Sequence, residues 1–394
     1  MIAIDYEGEK DMCRKREYYL KRLSVLIMIL FIGFAQPIKV KAAGNVARIG
    51  RKNYKSLQTA MDAVKNGQTI KLLKNVTINS FSFGDIDPFI LRNTKNRKYT
   101  INLNKHKLIA QSKGSSGLLG VLAVKKGTVT IKNGTLKGII TIGKKATLNL
   151  SNIKYSGVGL DLNMIQNSGK LTMNKVSGDM RVTGIKGSTS TLTNCKLTHT
   201  SNMINGTGTV NIKSGTYTSK AKTNAPLIIL DGGSLNIYGG TFTSPNSAIV
   251  NTDVTAVTIK GGSFTATNCE VLYLSGNNDK KGKVKISGGT FTTNQKGNPA
   301  NIKGAAAILS NVDALISGGT FVSTTYLPQI KDHIQNVGTV EMIGHGSLKI
   351  TGGSISGNSL CPIYIGAAAK NVAIANTGVK LKTNCPDGTL VAGI

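Results

Sequence analysis

Apolar and polar residues alternate in short runs along most of this chain. Ser234-Leu235-Asn236-Ile237 and Lys283-Val284-Lys285-Ile286 are examples. A period of two with β-branched residues predicts strands. Five such runs are followed by a Gly pair and a large apolar residue. They end at Ile237-Tyr238-Gly239-Gly240-Thr241-Phe242, Ile259-Lys260-Gly261-Gly262-Ser263-Phe264, Ile286-Ser287-Gly288-Gly289-Thr290-Phe291, Ile316-Ser317-Gly318-Gly319-Thr320-Phe321 and Ile350-Thr351-Gly352-Gly353-Ser354-Ile355. The copies lie about 22 to 34 residues apart, too short for a domain and right for one turn of a solenoid. Gly reaches positive φ without penalty, so the pair predicts a corner after which the Phe points inward again.

Weaker copies extend the frame, with anchors at Leu103, Ile131, Leu150, Met173, Leu192 and Ile212, and at Ile374 beyond the strong ones. Two residues past these anchors stand Lys105, Asn133, Asn152, Lys175, Asn194, Ser214 and Asn376. Asn tolerates the left-handed region best among non-Gly residues, so this column predicts one repeated left-handed corner. Five residues past each anchor an apolar column runs from Leu108 and Leu136 through Phe242, Phe264, Phe291 and Phe321 to Val379, broken by Gly178. A second apolar run in each repeat, such as Leu227-Ile228-Ile229-Leu230, predicts at least two strands per coil. In these motifs the chain resembles right-handed parallel β-helix proteins of the pectin-lyase-like kind, in particular repetitive secreted bacterial ones. The resemblance implies an all-β, right-handed, single-stranded parallel β-helix over nearly the whole chain. It says little about activity, because the same coil carries lyases, hydrolases, adhesins and stalks.

Residues 1–42 read as a signal peptide, with Met12 as an alternative start. Arg14, Lys15, Arg16, Lys21 and Arg22 form a basic region, Leu23 to Phe34 an apolar one, and Val40-Lys41-Ala42 a small-residue cleavage site. Export to the medium or the bacterial cell surface is therefore expected, with no membrane span after cleavage. Residues 43–394 are expected to form a single β-helix domain. Ser56 to Gly67 is the one convincing helix. Leu57, Ala60, Met61 and Val64 share a face, Ser56 suits the N-cap and Gly67 the C′ position. A solenoid end exposes core and unpaired backbone, so this helix is expected to cap the first coil.

The chain carries a net charge of +31, and discounting the 8 basic and 5 acidic residues of 1–42 leaves +28. Aromatic residues are few and mostly assigned to the interior, which argues against base stacking on nucleic acid. An exported polycation is expected to meet an anionic polysaccharide or cell-wall polymer, as a monomer. The densest basic group, Lys280, Lys281, Lys283 and Lys285, is the candidate contact, with Tyr326 as a stacking residue. Cys361 and Cys385 each lie eleven residues past an anchor and precede Pro, so they are expected to stack and form a disulfide. Cys195 and Cys269 are expected to stay unpaired.

Catalytic chemistry finds thin support. Asn251-Thr252-Asp253 and Gly344-His345-Gly346 match two of the four motifs of the polygalacturonase family, but its Asp-Asp and Arg-Ile-Lys motifs are missing. A glycosidase needs two carboxylates flanking the bond, and Asp253 shows no acidic partner in the sequence. Residues 322–346 read as one long loop, and long loops carry function more often than coils do. A catalytic site would draw on Asp253, His333, Glu341 and His345. No His shows metal-ligand spacing, so no cofactor is expected, with Ca²⁺ entering only under a lyase mechanism. The expected function is a non-catalytic structural or adhesive module that holds anionic glycan through a basic face. The alternative is a polysaccharide-degrading enzyme, pectate-lyase-like or polygalacturonase-like.

Overall fold

The computed structural model describes residues 44–80, 91–112, 120–156, 163–222, 225–253, 256–276, 282–294, 305–324, 337–358, 360–384 and 388–393. It is a right-handed parallel β-helix. Each coil carries three strands, not only the two runs the sequence marks. In one coil these are Ile228–Asp231, Ser234–Ile237 and Thr241–Ser244. Each pairs in parallel with its equivalent in the next coil, giving three sheets that we call the third, anchor and aromatic sheets.

The anchor column holds in register from Ile131 through Leu150, Met173, Leu192, Ile212, Ile237, Ile259, Ile286, Ile316 and Ile350 to Ile374. One anchor is corrected: Ile101, not Leu103, pairs with Ile131. Leu108 nevertheless pairs with Leu136, because the earlier coil holds two extra corner residues. The aromatic column is likewise confirmed. Tyr217, Phe242, Phe264, Phe291 and Phe321 stack with centroids 4.6–4.9 Å apart and planes within 13°. At the far end Leu381, not Val379, pairs with Ile355.

The corner is of two kinds. In the early coils Asn133, Asn152, Lys175 and Asn194 take φ of 51–60°, as the sequence predicts. In the strong copies the positive φ moves to the second Gly, for example +109° at Gly289. The first Gly answers a different need. A Cβ on Gly288 would lie 2.5 Å from the Lys260 carbonyl oxygen of the coil below. At Gly288-Gly289 the doublet thus combines one close approach with one unusual backbone angle.

The N-terminal end is closed by more than the expected helix. Strands Ala47–Ile49 and Lys52–Tyr54 form an antiparallel hairpin, and the first also pairs antiparallel with Thr69–Leu72. The helix, α1, spans Leu57–Ala63, and the Ser56 hydroxyl accepts from the Thr59 N–H. Leu57, Ala60, Met61 and Val64 are buried as the periodicity requires. Gly67 is not the C′ residue. Val64 is already extended, and Gly67 lies in the following turn at φ +78°, donating its N–H to the Lys98 carbonyl at 2.8 Å. Among the described residues no helix is long and apolar enough to cross a membrane.

Candidate functional site: a lysine column and an acidic tyrosine strip

Side chains alternate in and out along a strand, so each inward column has outward neighbours one residue away. Beside the aromatic column, the outward positions of the aromatic sheet read Lys107, Thr135, Lys154, Ser177, Lys196, Thr216, Thr241, Ser263, Thr290, Thr320, Ser354 and Lys380. In the first half, exposed lysines alternate with hydroxyls, so Lys107, Lys154 and Lys196 sit two coils apart. Like charges directly opposite would weaken the sheet, and the hydroxyl coils separate them. In the second half the column is purely hydroxyl until Lys380.

Among the described residues the field around this column is one-signed. Among the described residues from Lys98 to Leu230, Asp179 is the one acid. It is buried against His199, with Asp179 Oδ1 2.7 Å from His199 Nδ1. The preceding Gly178, at φ +123°, turns the strand so that the carboxyl points to the core although its register partner Thr198 faces out. Lys105, Lys132, Lys137, Lys175 and Lys213 lie on the corner and sheet around the column with no exposed carboxylate among them.

Acid gathers elsewhere. On the third sheet the outward column runs Ile229, Asn251, Tyr273, Ile308, Glu341, Tyr364. Glu341 is buried even so. Burial, with the nearby Glu270 charge adding to it, raises its carboxyl to about 7, while the Gly338 N–H donated to Oε1 works the other way. Burial first, then Glu270, Asp253 and Glu341, raises the Tyr273 phenol. Asp253 therefore does have an acidic neighbour: Asp231 pairs with it in register, which overturns the expectation drawn from the sequence. The Ser275 hydroxyl also donates to Asp253.

The remaining predicted residues scatter. Glu341 is not in a loop. It lies in the strand Gly338–Ile343, so the segment 322–346 holds a strand of the third sheet. His345 is exposed at a corner, its backbone N–H donated to Asn311 Oδ1 at 2.7 Å. Lys283 faces out but pairs in register with Asp313, and Lys285 lies between Thr258 and Leu315. Lys280, Lys281, Tyr326, His333 and Cys385 lie outside the described residues. Cys361 is buried, its Sγ 3.2 Å from the Ile363 carbonyl oxygen. Ile350 pairs with Ile374 and Ile363 with Val391, so the coil-to-coil offset is 24 residues in the anchor sheet and 28 in the third sheet.

The lysine column was legible in principle. Four residues past each anchor the sequence reads Lys154, Ser177, Lys196 and Thr216, although the densest basic run in the sequence is Lys280–Lys285. The Asp179–His199 pair was not legible, because it depends on a local turn of the strand. No family model, no curated protein and no solved structure matches this chain.

Proposed function

We propose that the chain is a secreted or cell-surface β-helix of the pectin-lyase-like kind that acts as a non-catalytic binding rod for anionic polysaccharide. The observation that carries this is the exposed column Lys107, Lys154, Lys196 in a stretch whose one described acid is buried. A rigid sheet pre-orders the backbone, so a bound polyanion orders only side chains, and many weak contacts add along its length. The test is retention of the chain on immobilised polyuronate and on neutral dextran at low and high salt. Salt-sensitive retention on the polyanion alone is expected, and equal retention on both matrices would overturn the proposal.

A second function has its own support. A buried Glu341 with its carboxyl raised to about 7, beside Glu270 and between Ile308 and Tyr364, has the protonation behaviour of a general acid. That arrangement fits a polysaccharide-degrading enzyme with its site on the third sheet. Release of reducing ends or unsaturated uronides from acidic polysaccharide, lost in Glu341→Gln, would favour it over the binding rod.

A further inference from the structure

We propose that the lysine column selects a linear polysaccharide carrying one carboxylate per disaccharide, laid along the axis of the rod. This rests on the basic-face function proposed above. Lys107, Thr135, Lys154, Ser177 and Lys196 form one outward column in successive coils. Strands stack ~4.7–4.9 Å apart, so the lysines recur every ~9.5 Å, with a hydroxyl midway. The three lysines are exposed, and none of their ammonium groups forms an ion pair among the described residues.

An extended chain of pyranose rings advances about one coil per ring. A polymer with a carboxylate on every second ring therefore brings each charge to a lysine and each neutral ring to Thr135 or Ser177. Those hydroxyls can both donate to and accept from ring hydroxyls. A polymer with a carboxylate on every ring meets the same column differently. Half of its charges would face Thr135 and Ser177, partly desolvated and without a cation. Beneath the column the inward residues Leu108, Leu136, Tyr155 and Leu197 are buried, with Gly178 in the coil between the last two, and the continuous parallel pairing of the coils sets the spacing.

The test compares the full chain on hyaluronan, which has one carboxylate per disaccharide, on polygalacturonate, which has one per ring, and on neutral dextran. Affinities are taken at equal carboxylate concentration and at two salt concentrations. Hyaluronan is expected to bind more tightly than polygalacturonate, although its charge density is lower. Lys154→Thr should weaken hyaluronan about fivefold, the effect of losing one exposed ion contact. The double variant Thr135→Lys/Ser177→Lys should reverse the preference. Both changes are at half-buried positions of the outward column, and circular dichroism checks that the fold persists. If polygalacturonate binds as tightly or more tightly, or Lys154→Thr leaves hyaluronan binding unchanged, the spacing proposal fails while a general basic face stands. If neither polyanion binds, both fail.

Discussion

The rings of Phe242 and Phe264 stack 4.6 Å apart and only 3° from parallel. Each belongs to a Thr-Phe-Thr or Ser-Phe-Thr strand, so the stack sets the spacing of the hydroxyls that face out on either side. Phe264 touches a ring above and a ring below, Phe291 being 4.8 Å away. Truncation therefore removes two stacking contacts and opens a cavity that rigid strands cannot collapse. Phe264→Ala is expected to cost about 3–5 kcal/mol and Phe264→Leu less. Urea unfolding of the two variants checks this, and equal costs would show that the loss comes from the ring contacts and not from the cavity.

The two corner types should respond differently to the same residue. Asn152 sits at φ 54°, inside the left-handed region, so Asn152→Gly should change stability by only a few tenths of a kcal/mol. Gly289 sits at φ +109°, beyond the range that Asn tolerates. Gly289→Asn should therefore destabilise by about 1–3 kcal/mol. Thermal unfolding of both variants tests the distinction.

Removing the imidazole from the buried Asp179–His199 pair leaves a carboxylate in the core with no partner for Oδ1. Asp179 Oδ2 and His199 Nε2 already lack hydrogen-bond partners. His199→Ala is expected to cost about 3–5 kcal/mol, as breaking a buried pair generally does. In the Asp179→Asn background the same change should cost much less. A double-mutant cycle measures the coupling, and additive costs would show that the two groups do not support each other.

Glu341 links stability to pH. Burial raises its carboxyl to about 7 from an ordinary 4.5. Between those values the folded protein holds a proton that the unfolded chain has released. The contribution of this group is thus full below about pH 4.5 and lost as pH rises to about 7, on the order of 3 kcal/mol in all. Glu341→Gln should flatten that slope and be more stable than wild type at pH 8. Urea midpoints at pH 5 and pH 8 check it, and a parallel loss of stability in the variant would assign the slope to other groups.

Much of this architecture was written in the sequence because a solenoid repeats one local solution. Ile237, Ile259, Ile286, Ile316 and Ile350 mark the anchor column without any knowledge of distant contacts, and the Gly doublets mark its corner. The alternation of residues also shows which side chains face in. These features depend on period-two geometry and backbone sterics, which act over a few residues.

Only the tertiary structure decided the rest, because it depends on how coils of unequal length add up. Coil length brought Asp231 beside Asp253. Register also turned Lys107, Lys154 and Lys196, far apart in sequence, into one column, while Lys283 in the densest basic run met Asp313. Charge acts through space, and in a coiled chain the neighbour in space is about twenty to thirty residues away.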